Sequence, residues 1–244
     1  IGHPKYHQGN RMKKYLLIIA AAICSAASIY AQDSSDQPYS IPAVKNPSVT
    51  SPKGYTNFKE EKGDLDGDGI DELLVAYETD KNTDLGKERQ IHIFKKEDNK
   101  WKLHKKFTGP LLPSQGGGTL GDPFRDIRIK KGVIVIEQSG GSRQQWSYVH
   151  KFRKQDNSWE LIGATVSYLT ECKEFDKYDY NLNTGKVEAE SAELKCDKDF
   201  NETGRKNVKK SSFTVKKKDV LMEKFKAGEN EVKIPGKKDV SFFY

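Results

Sequence analysis

Short runs of apolar residues alternate with polar segments through the middle of the chain. Leu73–Tyr77 and Val133–Ile136 are continuous apolar runs of strand length, and no long segment shows the helical spacing of apolar residues. Glu97–Lys100 and Lys130–Gly132 each separate two such runs and are typical of hairpin turns. The pattern predicts an all-β fold, mainly antiparallel, that begins near Tyr55.

One pattern of residues occurs twice. Residues 91–103 align with residues 149–161 at a constant offset of 58 residues, and seven of the thirteen positions are identical. The identical pairs are His92/His150, Phe94/Phe152, Lys96/Lys154, Asp98/Asp156, Asn99/Asn157, Trp101/Trp159 and Leu103/Leu161. Each copy follows one of the apolar runs, so the repeating unit is predicted to be a strand, a long loop and a hairpin. A fixed period of this size favours two or more blade-like β units of about 58 residues that stack on one another.

The repeated aromatic residues alternate with charged ones. We assign them to packing between the units, because repeated aromatic residues are commonly buried. An exposed platform on which a ligand stacks is the alternative.

The N-terminal segment has the residue order of a secretory signal. Residues 12–14 are Met-Lys-Lys, Tyr15–Ile23 is apolar, and small residues lead to Ala31. The apolar run is too short for a membrane span, which takes about 20 residues. We therefore expect residues 12–31 to be a cleaved signal peptide, with no transmembrane segment left after cleavage.

Export has consequences for location and charge. Residues 1–11 are expected to be an upstream extension, and the mature protein to be periplasmic or extracellular. Ile23 precedes Cys24, whereas a lipoprotein signal has a small residue there, so lipidation is not favoured. Removing the four positive charges of residues 1–31 lowers the formal charge from +7 to +3, which gives no indication of nucleic-acid binding.

The remaining chain divides by composition. Residues 32–53 are rich in Ser, Pro, Asp and Asn and are expected to form a flexible leader. Residues 54–170 are expected to form the repeated β domain, and residues 171–244 a charged C-terminal β region packed on the same domain. Lys206–Lys218 contains six lysines, which predicts either a solvated edge strand or a contact with an anionic surface. Further strands are indicated by Val215, Leu221, Phe225, Val232 and Ile234.

Two cysteines remain after signal cleavage, Cys172 and Cys196. In an oxidising envelope compartment they are candidates for a disulfide, and two free thiols are the alternative. The chain has no Cys-x-x-Cys motif, so redox catalysis is not indicated.

The most specific local motif is Asp64–Glu72, with the sequence Asp-Leu-Asp-Gly-Asp-Gly-Ile-Asp-Glu. Carboxylates occupy positions 1, 3, 5 and 9, and the glycine at position 6 permits a sharp turn around one ion. Position 12 is Val75, where an EF-hand has a bidentate Glu, and a strand follows the loop where an EF-hand has a helix. The motif therefore predicts a Ca²⁺ loop that is not an EF-hand.

The motif followed by Leu-Leu-Val resembles the FG-GAP or VCBS repeat of integrin-type β-propeller blades. The resemblance implies that the ligands are Asp64, Asp66, Asp68, the Ile70 carbonyl and Glu72. Glu72 stands where the family usually has Asp, so a water is an alternative link at the ninth position. The chain is too short for a closed seven-bladed propeller, and residues 121–126 have too few carboxylates for a second loop.

A looser resemblance covers roughly residues 60–165 and is to a group of small exported bacterial proteins with no established activity. It rests on Gly116–Gly118, Gly121–Phe124, Gly140–Ser142, Trp146 and Trp159–Gly163. The glycine clusters indicate turns with positive φ or, alternatively, a loop that faces a ligand.

No local motif of a catalytic triad is present, and the acidic residues of the loop are better explained as metal ligands than as a glycosidase pair. The sequence therefore predicts an exported, non-catalytic, calcium-binding β protein. Its expected role is an envelope or extracellular binding or adhesion module with a protein or glycan partner. An envelope inhibitor or immunity-type protein is the first alternative, and a hydrolase is the second.

Overall fold

The computed structural model describes residues 41–244, and it is all-β over this range. Strand pairing is antiparallel throughout, and these residues form no closed barrel or propeller, so the predicted fold class is confirmed. The expected upstream extension, the signal peptide and Cys24 lie outside the described residues, as does the first part of the expected leader.

Two meandering sheets account for most of the structure. The first sheet consists of β1 (Tyr55–Gly63), β2 (Glu72–Thr83), β3 (Gly86–Glu97) and β4 (Lys100–Phe107). The second consists of β5 (Phe124–Lys130), β6 (Val133–Gly141), β7 (Gln144–Gln155), β8 (Ser158–Thr170), β9 (Glu174–Asn181), β10 (Lys186–Cys196) and β11 (Glu202–Thr214). In both sheets each strand pairs with the next along the chain. A third, two-stranded sheet consists of β12 (Glu231–Lys233) and β13 (Ser241–Phe243).

The main core contains buried residues of both large sheets. The strand β2 contributes to it and also explains why its own sequence is continuously apolar. Leu74 and Ala76 point into the main core, whereas Leu73, Val75 and Tyr77 form a second cluster on the opposite face. Successive side chains of a strand point to opposite faces, so a strand covered on both faces needs no polar alternation.

The first and second sheets meet where β1 runs beside β5. The Lys59 ammonium lies 3.4 Å from the Asp126 carboxylate across this seam. Gly63, the last residue of β1, packs so closely that a Cβ atom there would stand 2.7 Å from Ile129 Cγ2. The Asp64–Glu72 loop therefore begins at the junction of the two sheets.

The C-terminal segment completes the main core. Met222, Phe225, Phe242 and Tyr244 are buried among residues of both large sheets. Of the five residues expected to mark further strands, only Val232 lies within one, and Leu221 forms a single bridge with Glu160. This segment is mostly irregular because its apolar side chains reach an existing core without needing a sheet of their own.

The two aligned segments form the hairpins β3–β4 and β7–β8. Their registers shift at equivalent places, between Ile93 and Phe94 and between Lys151 and Phe152. The prediction of a long loop ahead of the first hairpin is wrong, because β2 continues to Thr83 and a tight turn leads into β3. Polar residues in the second half of β2 pair with β3, and Thr79 is buried. The strand therefore extends beyond its apolar run.

Residues 41–53, assigned from sequence to the flexible leader, form no strand but lie along β1. The Val44 N–H donates to the Asn57 carbonyl at 2.8 Å, and the Ser48 N–H donates to the Glu60 carboxylate at 3.0 Å. Val49 packs against the second apolar cluster. This part of the leader therefore has defined contacts with the first sheet.

Candidate metal centre

The Asp64–Glu72 loop connects β1 to β2 and folds around its first carboxylate. Asp64 Oδ1 accepts the Gly67 N–H at 2.6 Å, and Asp64 Oδ2 accepts the Gly69 N–H at 3.0 Å. Gly67 and Gly69 have φ values of 81° and 83°, in the left-handed region that favours glycine. The two glycines therefore let the backbone turn tightly enough to place Asp66 and Glu72 next to Asp64.

Three of the predicted ligands converge. One carboxylate oxygen from each of Asp64, Asp66 and Glu72 lies within 4.8 Å of the others. Glu72 is only 3% exposed, and the Leu65 N–H fixes its Oε2 with a hydrogen bond of 2.8 Å. Asp66 Oδ1 is buried and has no hydrogen-bond partner among residues 41–244. A buried acceptor without a donor is costly, and a cation would satisfy it.

Two lysines from different sheets contact the same cluster, and no sequence motif assigns either of them to it. Lys95, on β3, forms an ion pair with Asp66, and its Nζ lies 3.7 Å from Glu72 Oε1. Lys154, on β7, places its Nζ 3.2 Å from Asp66 Oδ2. The Asp66 carboxylate thus links the first sheet to the second through two ammonium groups.

These contacts determine the protonation of the cluster. Burial by itself would raise the pKa of Asp66, but hydrogen bonds from Lys95 and Lys154 outweigh it and lower the pKa to about 2. Burial raises the pKa of Glu72, and the Leu65 N–H opposes this effect. Of these two carboxylates, Asp66 therefore stays ionised to a lower pH than Glu72.

The Asp68 carboxylate is not part of the cluster. The Asp68 side chain is 47% exposed, and its Oδ1 accepts the N–H of Ile70 at 2.8 Å. Asp68 Oδ2 still lies 3.8 Å from Lys95 Nζ, so this side chain is at the rim of the cluster. Coordination by the Ile70 carbonyl stays a prediction.

The loop also borders a surface depression with a cavity volume of about 430 Å³. Its lining includes Asp64 and Gly67 from the loop, Lys62 from β1, and Lys131 and Gly132 from the β5–β6 turn. Of the cluster, Asp64 therefore borders this depression.

Asp122, in the segment that corresponds to the loop in the second repeat, has a different role. Arg89 donates Nη1 to Asp122 Oδ1 at 2.7 Å, and both side chains are almost fully buried. Arg89 also contacts the Glu78 carboxylate at 3.0 Å, and the Phe124 N–H donates to Asp122 at 2.8 Å. This ion pair, which the sequence analysis did not identify, anchors the segment before β5 to the first sheet.

The glycine clusters pack against each other. The Gly141 N–H donates to the Gly117 carbonyl at 2.8 Å. A Cβ atom on Gly140 would stand 2.7 Å from Gly117 and 2.5 Å from the Trp146 ring. A close approach of two backbones therefore explains the absence of side chains at these positions.

The charged C-terminal region contains a disulfide and an exposed strand. Cys172 and Cys196 are joined, and their Cα atoms lie 5.5 Å apart. The lysine-rich segment forms most of β11, which is the edge strand of the second sheet and is exposed along nearly all of its length. Several of its basic residues pair with glutamates of β10, including Lys206 with Glu193 at 3.1 Å.

Comparison with protein-family models, with curated proteins and with solved structures gave no match to this chain. The resemblance of the loop to the FG-GAP or VCBS repeat therefore stays a prediction from its own residues. From residue 41 to the last residue, no helix has the length and apolar character needed to span a membrane.

Proposed function

We propose that this protein binds one calcium ion in the Asp64–Glu72 loop and acts outside the cytoplasm as a non-catalytic binding module. The observation that carries the proposal is the convergence of the Asp64, Asp66 and Glu72 carboxylates. Three carboxylates held this close repel one another, and a divalent cation removes that repulsion.

The donor set fits a hard cation. All three side chains offer oxygen, which Ca²⁺ binds at about 2.3–2.6 Å in irregular geometries. Oxygens within 4.8 Å of one another can surround one ion with bonds of that length. Asp64, Asp66 and Glu72 would hold the ion, and the unpartnered Asp66 Oδ1 would gain a partner in it. The ion would neutralise the carboxylates and tie the loop to the start of β2.

Extracytoplasmic location is supported by the disulfide between Cys172 and Cys196. Such bonds persist in oxidising compartments and are rare in the cytosol. The N-terminal residue order that predicts a signal peptide points the same way.

The proposed ligand is a protein or glycan of the cell envelope. The non-catalytic assignment is supported by the placement of the two repeated histidines. His150 is fully buried and His92 is 4% exposed, so both belong to packed aromatic clusters and not to an open cleft. The ion would stabilise the scaffold, and the loop occurs once while the hairpin occurs twice. A single site of this kind is suited to fixing a loop.

Isothermal calorimetry of the secreted form tests the calcium site. We expect one ion per chain with a dissociation constant of about 10⁻⁴–10⁻³ M, typical of extracellular sites. Asp66→Asn should abolish the heat of binding, because it removes the charge at the centre of the cluster. Asp71→Asn is the matched control, since it removes the same charge from an exposed residue of the same loop outside the cluster.

Thermal unfolding gives a second readout. Calcium at about ten times its dissociation constant should stabilise the wild type by roughly 1.4 kcal/mol through mass action, and a chelator should reverse the effect. Absence of calcium uptake by the wild type, or unchanged uptake by Asp66→Asn, would contradict the proposal.

The binding role is tested with isolated envelope polysaccharide. Co-sedimentation of the protein with the polysaccharide, weakened by a chelator, is the expected result. Turnover of an envelope substrate by the purified protein would contradict the non-catalytic assignment.

A further inference from the structure

Lys95 and Lys154 lie against carboxylates that a metal ion would need. The Lys95 ammonium lies within 4 Å of three loop carboxylates, those of Asp66, Asp68 and Glu72. Lys154 adds a second positive charge at 3.2 Å from Asp66. Both ammonium groups thus contact the candidate calcium site, Lys95 at Asp66 and Glu72 and Lys154 at Asp66 alone.

Both lysines contact Asp66 Oδ2 and leave Oδ1 without a partner, so a calcium ion at Oδ1 would meet two positive charges on the same carboxylate. A calcium ion bonded to Asp66 and Glu72 would stand within a few ångströms of Lys95 Nζ, and like charges at that distance repel strongly when solvent is partly excluded. Asp66 is 7% exposed and Lys95 27% exposed, so water screens this repulsion only in part. The two lysines therefore oppose the binding of a calcium ion.

We propose that Lys95 and Lys154 are tethered counter-ions that fill the site when no metal is bound and that set its affinity for calcium. This inference rests on the proposed calcium site. Both lysines leave the carboxylates when the ion enters, so the intrinsic affinity of the loop is reduced by the free energy of breaking these ion pairs. Lys95 belongs to the first sheet and Lys154 to the second, and both pair with Asp66. When the ion binds, metal contacts replace both of these ion pairs together.

Charge-removing variants test the competition. Lys95→Met keeps most of the aliphatic length and removes the ammonium, and it should tighten calcium binding by about tenfold, the ratio that one partly buried ion pair supplies. Lys154 contacts one carboxylate only, so Lys154→Met should tighten calcium binding less. Lys96→Met is the control, because it removes the same charge from the neighbouring position, where Lys96 lies over the Trp101 ring and makes no contact with the loop.

Thermal unfolding gives a readout that affinity alone does not. In a chelator, Lys95→Met should unfold at a lower temperature than Lys96→Met, because the loop carboxylates have lost their counter-ion. Saturating calcium should remove this difference. A Lys95→Met protein as stable in the chelator as the control would contradict the role of Lys95 as counter-ion.

Chemical labelling of the wild type follows the displacement directly. Acetylation of lysines, measured by mass spectrometry of peptides, should increase at Lys95 and Lys154 when calcium is added and should not change at Lys96. Unchanged labelling at Lys95 would overturn the displacement.

The outcomes separate this inference from the proposed function. Calcium uptake by the wild type with an equal dissociation constant in Lys95→Met overturns the inference and leaves the calcium site standing. Uptake by neither protein overturns both. Uptake by Lys95→Met alone supports competition by Lys95 and contradicts calcium binding by the native chain.

Discussion

The hairpins β3–β4 and β7–β8 carry the same residues at seven positions and bury them to different degrees. Trp159 is 2% exposed and Leu161 is also 2% exposed, whereas Trp101 is half-buried and Leu103 is 52% exposed. Their register shifts occur at equivalent positions, so the local strand geometry is alike. The difference lies in what covers each hairpin.

The C-terminal segment covers the second hairpin. The Phe225 ring lies 4.8 Å from the His150 ring and 5.2 Å from the Phe152 ring. The Met222 N–H donates to the Trp159 carbonyl at 2.8 Å, which holds the segment in place. The equivalent face of the first hairpin is covered mainly by Val49 and Tyr55. Identical residues therefore contribute differently to stability because tertiary contacts decide their burial.

The tryptophans should give the largest difference between the hairpins. Trp159→Ala is expected to lower the free energy of unfolding by about 3–5 kcal/mol, since it opens a cavity in the main core. Trp101→Ala should cost roughly 1–2 kcal/mol, because only part of its area is buried. Urea unfolding measures both values, and equal losses would show that the two hairpins are equally packed.

The leucines test the same contrast with a smaller side chain. Leu161→Ala should cost about 2–4 kcal/mol, whereas Leu103→Ala at an exposed position should stay within about 0.5 kcal/mol of the wild type. Urea unfolding measures both losses of free energy of unfolding. The slope of this free energy against urea concentration should be the same in both variants and the wild type. A large loss for Leu103→Ala would point to a covering partner for the first hairpin, and its dependence on protein concentration would identify a second copy of the chain.

The histidines extend the comparison to pH. Burial lowers the pKa of His150 to about 3, and neither of its ring nitrogens has a hydrogen-bond partner in the described part of the chain. Burial, with the charge of Lys106, lowers the pKa of His92 to about 4, and His92 Nε2 lies 3.0 Å from Gln90 Oε1. Both folded-state pKa values lie below the unfolded value of about 6.5, so the unfolded chain binds more protons and stability falls as pH decreases below 6.5.

His150→Phe should flatten the acid side of the stability profile. Each buried histidine contributes a slope of up to about 1.4 kcal/mol per pH unit, which continues to about pH 3 for His150 and to about pH 4 for His92. The difference between wild type and His150→Phe, measured by urea unfolding from pH 7 to pH 4, isolates this contribution from that of the carboxylates. A difference that does not change with pH would contradict the burial of a neutral His150.

Much of the fold follows from local sequence. The turn predicted at residues 97–100 matches the end of β3 and the start of β4, and Lys131 and Gly132 adopt positive φ between β5 and β6. The irregular C-terminal segment that covers the second hairpin was not predictable, because Met222 and Phe225 belong to no regular spacing of apolar residues. Their position depends on a core that distant strands create.

The candidate site was predictable in part. Carboxylate spacing and the glycines of the loop pointed to Asp64, Asp66 and Glu72, since that pattern has a local geometric cause. Lys95 and Lys154 lie on two sheets and meet at Asp66 only through tertiary packing. Lys154 is a repeated position, but its counterpart Lys96 lies over the Trp101 ring, so the repeat does not point to the site.

The turns of the two hairpins should give the smallest difference. Asp98 and Asn99 both have positive φ, 48° and 59°, as in a type I′ turn, whereas Asp156 has a φ of 50° and Asn157 is not in that region. Asn99→Gly should therefore stabilise the protein by about 0.5 kcal/mol, because glycine adopts this conformation without strain. Asn157→Gly is the matched control and should destabilise slightly, since there glycine only adds freedom to the unfolded chain. Urea unfolding of the two variants side by side measures the difference, and a gain from Asn157→Gly as large as that from Asn99→Gly would mean that the two turns share one geometry.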